Sequence, residues 1–362
     1  MSRSTPLREV HESLGATLTD FAGWLMPLRY GSESAEHNAV RTAAGLFDLS
    51  HMGEIFVTGP QAGEALDYAL VGHLSALETG RARYTMICAA DGGVLDDLIV
   101  YRQGDDRFLV VANASNYARV ADELAERAEG FDAEVDDQSD AYALVAVQGP
   151  RALEILSTLT DADLPALKYY AGVPGTVAGA EAFIARTGYT GEDGFELFVA
   201  AADAVPLWQE LAKAGDAFGL RPAGLSARDT LRLEAGMPLY GNELNAGLTP
   251  FDAGLGRVVK FGKPGDFVGR AALAPLKDVP PRRRLIGLVA RGRRVPRHGY
   301  PVVLGDGAVV GEVTSGAPSQ SVGKPIAMAY VDTDVSDGLA VDIRGSHEPV
   351  DVVDLPFYRR SM

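Results

Sequence analysis

The sequence predicts an α+β fold followed by a separate all-β C-terminal domain. Three observations carry this. Strand-like and helix-like segments alternate irregularly and include hairpins, unlike the regular alternation of a doubly wound parallel sheet. The composition changes near residue 275, where Lys277-Asp278-Val279-Pro280-Pro281-Arg282-Arg283-Arg284 reads as a linker. Beyond it, short strands rich in Gly and Pro recur at the spacing of a barrel or sandwich. With 362 residues the chain is also too long for one small core.

Each element has a local reason. Residues 36–45 suit a short helix ending at Gly45, after which Phe47-Asp48-Leu49-Ser50-His51-Met52-Gly53 leads into a strand over 54–57 and a Gly59-Pro60 break. Residues 61–72 suit a helix. Residues 84–89 and 94–102 read as two strands joined at an Asp91-Gly92 hairpin step. Residues 108–112 make a third strand, and 116–128 alternate at helical spacing. Residues 141–147, AYALVAV, form a buried-type strand, and Pro150 sits near the first turn of the helix that follows. Strands at 181–186 and 194–200 precede helices at 204–218 and 226–235. The terminal domain reads as strands at 285–290, 301–304, 308–314, 326–331 and 339–343.

Composition removes several function classes. Net charge is −16 and the pI is near 4.8, which argues against a general nucleic-acid binder, because phosphate contact needs a basic surface. One cysteine, Cys88, excludes an internal disulfide and any multi-thiolate metal site. It falls in a strand-like run, where a buried inert thiol is expected. The six histidines are scattered singly, so no metal site is expected. MSRSTPLREVHESLG lacks the apolar core of a signal peptide. No apolar run reaches the roughly 18 residues of a membrane span. A cytoplasmic protein with no membrane partner is expected. No Walker loop, His-Glu-x-x-His, Gly-x-Ser-x-Gly or Gly-x-Gly-x-x-Gly after a strand is present.

What remains is polar residues where a core would not want them. Gly92-Gly93-Val94-Leu95-Asp96-Asp97-Leu98-Ile99-Val100-Tyr101 sets two acids inside an apolar strand. Successive side chains point to opposite faces, so one acid can cap the preceding turn, but the other needs donors or a ligand, since burying it bare is costly. In the strand after Gly191-Glu192-Asp193-Gly194, Glu196 shares a face with Phe198 and Ala200. It is either an edge-strand charge that discourages aggregation or an acceptor for a ring with adjacent N–H donors. In Gly224-Leu225-Ser226-Ala227-Arg228-Asp229-Thr230-Leu231-Arg232, Ser226 with Asp229 resembles a capping box, and Gly236 suits the helix end. Arg232 reads as solvated. Arg228, in the first turn, opposes the helix dipole and so answers to something else. Seven arginines lie between Arg282 and Arg297, a solvated linker by default and a dock for an acidic partner or polyanionic tail by the sharper reading.

These stretches, in this order, closely resemble the aminomethyltransferase family, the T-protein of the glycine cleavage system. The resemblance runs nearly end to end. It takes in Asp20-Phe21-Ala22-Gly23-Trp24, Phe47-Asp48-Leu49-Ser50-His51-Met52, the GGVLDDLIVY run, Tyr189-Thr190-Gly191-Glu192-Asp193-Gly194-Phe195-Glu196, Ala227-Arg228-Asp229-Thr230-Leu231-Arg232-Leu233-Glu234-Ala235-Gly236, Val313-Thr314-Ser315-Gly316 and Leu355-Pro356-Phe357-Tyr358. The resemblance implies a three-lobed folate-binding fold. Residues 1–275 would hold two intertwined α+β lobes, the second over roughly 54–138, and residues 276–362 a β-barrel domain. It implies transfer of an aminomethyl group from the lipoyl arm of the H-protein to tetrahydrofolate, yielding ammonia and 5,10-methylenetetrahydrofolate in glycine catabolism. By position, Asp97 resembles the family's acid beside the folate nitrogens, Glu196 the carboxylate that reads the pterin, Arg228 its companion and Arg344 the C-terminal folate-site arginine. Tyr84, Tyr101, Asn113 and Tyr189 fall where pocket-lining residues belong. The pattern alone does not separate Asp96 from Asp97.

Two other readings share this scaffold. Folate-dependent demethylases take a methyl from an amine or sulfonium donor. Non-catalytic folate-binding proteins carry a cysteine in the short motif around the tyrosine, where this chain has Gly188 before Tyr189.

Overall fold

Among the described residues the apolar strands assemble into three open sheets and one closed barrel. The structure, a computed structural model, describes residues 2–360. The chain divides into two units. The first comprises Met1–Ile87, Asp96–Arg228 and Lys263–Phe267; the second comprises Cys88–Leu95, Asp229–Gly262 and Val268–Met362. The fold is thus α+β with a C-terminal all-β domain, as the sequence predicts, and that domain closes as a six-stranded barrel.

In the first unit a six-stranded sheet runs in the order Gly172–Val177, Ala180–Ala185, Gly194–Ala200, Tyr142–Gln148, Ala44–Asp48, Leu220–Pro222. Its two central strands are buried nearly throughout, which explains why they read as continuous apolar runs. One face packs Val145, Val147, Phe195 and Leu197 against Leu207, Trp208 and Leu211 of the helix Ala204–Asp216. Each such side chain contributes about 1.5–3 kcal/mol of burial free energy.

A five-stranded sheet has the order Ala82–Cys88, Val94–Gly104, Arg107–Ala112, Gly53–Thr58, Glu134–Asp137. Its register sets rows across one face: Ile99, Val111 and Glu54 form one, and Tyr101, Leu109 and Phe56 the next. Strand alternation places Asp97 on this same face and Asp96 on the other. Toward the opposite side the helix Tyr117–Ala128 packs closely: a Cβ on Gly53 would stand 2.2 Å from the Cβ of Tyr117, so only glycine fits. A three-stranded sheet at the start of the chain, Arg3–Ser4, Trp24–Arg29 and Thr17–Phe21, was not legible in the sequence.

Several boundaries differ from expectation. The first helix after it is Glu33–Thr42, capped by Ser32, whose side chain accepts from Ala35 N. Gly45 does not end this helix but lies in the strand Ala44–Asp48, because pairing with Tyr142–Gln148 outweighs local propensity. Helices expected over 61–72 and 204–218 are the shorter Ala62–Ala69 and Ala204–Asp216. The helix Leu225–Glu234 begins before Ser226, so no Ser226–Asp229 capping box forms; Asp229 pairs with Arg232 instead, at 2.7 Å.

In the second unit the barrel closes in the order Arg283–Ala290, Lys324–Asp332, Val309–Ser319, Pro301–Val303, Ala340–Asp342, His347–Val353. Its last strand had no sequence signal. Leu288, Val302, Val313, Ala329 and Val341 fill the interior. Arg232 is not solvated: it is 1 % exposed. Its fork donates to Glu243 at 2.8 Å, to Ser315 Oγ at 2.6 Å and to the Met237 carbonyl at 3.2 Å. Nearby, buried Glu234 accepts from Ser319 Oγ at 2.6 Å and Ser321 Oγ at 2.8 Å. Hydrogen bonds of this kind offset the cost of taking these charges out of water.

Candidate active site

The geometry begins with Glu196. Its strand is central, flanked by Ala180–Ala185 and Tyr142–Gln148, so the edge-charge reading is wrong. The residue is 8 % exposed. One oxygen, Oε2, accepts from the Thr187 hydroxyl and from Tyr101 Oη, the latter at 3.4 Å, while Tyr101 and Thr187 bond each other at 2.8 Å. Burial raises the Glu196 carboxyl above its ordinary value, with Thr187, Arg228 and Tyr101 acting the other way. Among the described residues no group donates to Oε1. A buried carboxylate with one oxygen satisfied and the other open is an acceptor waiting for an N–H donor.

Thr187 is held from behind. Gln148 Nε2 donates to its carbonyl at 3.0 Å, and Thr190 Oγ1 donates to Gln148 Oε1 at 3.0 Å. A Cβ on Gly188 would lie 2.0 Å from Gln148 Oε1. Gly188 therefore leaves room for the glutamine that positions Thr187. Arg41 ties down the next turn through the Thr190 carbonyl at 2.7 Å and Glu192 at 2.8 Å.

The second group surrounds Asp97. Tyr84 donates to its Oδ2 at 3.0 Å, and Asn113 Nδ2 to its Oδ1 at 2.9 Å. Burial and then Asp97 push the Tyr84 phenol upward, which keeps it a donor. Asp96, behind the strand, is fully buried. It neither caps the hairpin, a task that Asp91 performs through Gly93 N, nor faces solvent. It takes Asn113 N and Nδ2 at 2.9 Å each, and Asn116 Nδ2 at 2.7 Å. Burial, then Asp97, raises its carboxyl to about 7 against the pull of these amides.

Electrostatics connect the groups. Tyr170 is raised by burial, by Tyr169, and by the charges of both Glu196 and Asp97. Arg228 lies over the Tyr189 ring at 4.7 Å, acts on Glu196, and helps depress His51 to about 4 after burial, partly opposed by Asp48. Asp97, Glu196, Arg228, Tyr84, Tyr101, Asn113 and Tyr189 thus converge in the first unit. Arg344 lies in the second unit, exposed on the turn before His347–Val353, with φ at 57°.

The sequence pattern does not single out Thr187, Tyr170, His51, Gln148 or Asn116. Thr187 lies two residues before the quoted tyrosine motif, and its exposure to Glu196 depends on a strand pairing no local pattern reveals. Tyr170 has φ of 57°, a conformation that sequence does not announce for tyrosine.

Comparison with known proteins agrees with this arrangement. The GCVT N-terminal domain family matches residues 7–263, and the glycine cleavage T-protein C-terminal barrel domain family matches residues 283–359. The chain is 68 % identical to an aminomethyltransferase of Streptomyces coelicolor, covering 99 % of this chain and 98 % of that protein. It is 46 % identical to one of Bacillus subtilis over 99 % of this chain and all of the other. The solved structure of glycine cleavage system aminomethyltransferase T from Bartonella henselae superposes with a TM-score of 0.93 at 37 % identity, covering 99 % and 98 % of the two chains. An open buried carboxylate, an acid on the facing sheet and an arginine over a tyrosine ring therefore sit in a chain whose two matched regions span it almost entirely: it belongs to the glycine cleavage T-protein family of aminomethyltransferases.

Proposed function

We propose that this chain transfers the aminomethyl-derived carbon from the lipoyl arm of the H-protein to tetrahydrofolate, releasing ammonia and forming 5,10-methylenetetrahydrofolate. Relatives named aminomethyltransferase along their whole length favour this over a demethylase or a non-catalytic folate binder. The observation that carries the reading is the open Oε1 of Glu196, set in one unit with Asp97 and Arg228. A reduced pterin presents adjacent N–H donors on one edge, and a buried carboxylate with a vacant oxygen fits them. Tyr101 and Thr187 fix that carboxylate, Arg228 balances its charge, and Tyr84, Tyr170 and Tyr189 supply flat walls.

Asp97 is the acid placed for chemistry. Held by Tyr84 and Asn113, it orients and polarises the amine nitrogens of tetrahydrofolate and stabilises positive charge as one of them attacks the aminomethyl carbon. The aminomethyl nitrogen leaves as ammonia; the second folate nitrogen then closes on the same carbon and displaces the sulfur, and the two amine protons of tetrahydrofolate leave with the ammonia and the carrier thiol. A positioned acid–base group of this kind is worth about 10²-fold or more. The test is tetrahydrofolate-dependent ammonia release from an aminomethyl-loaded lipoyl carrier by Asp97→Asn. A loss of that size with folate binding retained is expected; near-normal turnover removes Asp97 from the mechanism.

The arginine segment supports a docking role for the carrier or a glutamate tail. Arg283 and Arg291 pair with Asp332 and Asp351, whereas exposed Arg293 and Arg294 have no acidic partner among the described residues. Among the described residues no helix is long and apolar enough to cross a membrane; the cytoplasm is the proposed location.

A further inference from the structure

Asp96 is a fully buried acid for which the reaction as described has no use. Both of its oxygens bond Asn113, and one of them also takes Asn116. Oδ2 takes the Asn113 backbone N–H at 2.9 Å, and Oδ1 takes Asn113 Nδ2 at 2.9 Å and Asn116 Nδ2 at 2.7 Å. The same Asn113 Nδ2 reaches Asp97 Oδ1 at 2.9 Å and the Asp97 carbonyl at 3.1 Å. An amide nitrogen has two hydrogens. One is spent on Asp96 and the other on Asp97. Turning the amide over would aim its oxygen at two carboxylates, so the pair of acids selects a single orientation. Among the described residues no group donates to Asn113 Oδ1, which is left as an acceptor beside Asp97.

We propose that Asp96 is a positioning residue: with Asp97 it holds both N–H bonds of the Asn113 amide and so presents Asn113 Oδ1 to an N–H of the reacting amine. This rests on the assignment of Asp97 to the reacting centre. A hydrogen-bond acceptor fixed there favours the developing ammonium at no reorganisation cost. The clamp depends on the charge of Asp96. Protonated, Asp96 becomes a donor and the selection against the turned amide weakens. The segment packed against it, from Asn113 to Asn116, offers amides, and the charge acting on it is that of Asp97 on its own strand. Burial and that charge hold its carboxyl near 7, so the clamp is set within the working pH range.

The experiment is the pH profile of kcat/KM for tetrahydrofolate, from pH about 5.5 to 9, with the aminomethyl-loaded carrier. It compares the wild-type chain with Asp96→Asn, Asn116→Ala and Asp97→Asn, each checked for folding by thermal melting. The wild type should lose kcat/KM as pH falls through about 7. Asn116→Ala removes a bond that lowers the Asp96 pKa, so its acid limb should move to higher pH. Asp96→Asn should lack that limb and lose about tenfold or more at high pH. A merely structural Asp96 would change the melting temperature without moving the limb. Should Asp96→Asn fail to fold, Asn116→Ala decides: an unmoved limb overturns the proposal. If Asp97→Asn is slow while Asn116→Ala keeps the wild-type profile, only the positioning role falls. If Asp97→Asn turns over normally, the assignment of the centre falls, and this inference with it.

Discussion

Replacing Glu196 with glutamine isolates the contact on which the pterin assignment depends. The side chain is 8 % exposed, and Oε2 is already committed to Thr187 and Tyr101. The glutamine carbonyl can keep those two bonds, so the fold is preserved. Its amide then occupies the place of Oε1 and offers N–H where a ligand also offers N–H. One charge-assisted hydrogen bond is lost, about 1.5–3 kcal/mol, and a donor–donor contact is added. A total near 3 kcal/mol corresponds to about a 10²-fold weaker Kd. The sign with pH follows from the raised Glu196 pKa. The wild-type carboxylate takes up its proton at a pH above the ordinary carboxylate range, so wild-type affinity should fall on the acid side from there, and the variant should show no such fall. A carboxyl raised by burial also lowers stability once ionised, so at neutral pH the variant should melt no lower than the wild type. Calorimetric titration with tetrahydrofolate under anaerobic conditions reads both effects. An unchanged Kd in a folded Glu196→Gln protein would refute the pterin contact.

Two further outcomes are expected. Arg232→Met strands Glu243, whose side chain is fully buried, and should cost about 3–5 kcal/mol of stability by denaturant titration; a loss under about 1 kcal/mol would mean that the pair is not formed. Changing Arg293 and Arg294 together to glutamine should weaken lipoyl-carrier binding several-fold at low ionic strength, with the difference vanishing near 1 M salt, where the Debye length is about 3 Å. Equal binding at both salts would clear those arginines of a docking role.

What the sequence made legible followed from short-range geometry. Alternation by two exposed Glu196 as an acid on an apolar face and flagged the Asp96-Asp97 pair, because both anomalies are visible within a few residues. The terminal barrel was legible for the same reason, through turn residues at short intervals. The Gly45 boundary shows why some limits are hidden: the local pattern reads Gly45 as a helix end, but its strand is fixed by a partner about a hundred residues away. Arg232 shows the limit most sharply. Helical periodicity says which residues share a face but not whether that face is covered, and one of the groups that saturate this arginine, Ser315, lies 83 positions along the chain.

The pair of acids makes the same point in reverse. Adjacent residues in a strand face opposite sides, so pattern reasoning assigns one to function and dismisses the other. That division assumes that a site lies on one face. Asn113 stands at the end of Arg107–Ala112, beyond the last paired residue, where an amide can reach around the neighbouring strand and touch both acids. The edge of a ladder is where the two faces stop being separate environments. An acid behind the sheet can therefore govern a group in front of it. Through Asn113, Asp96 is one hydrogen-bonded residue away from Asp97.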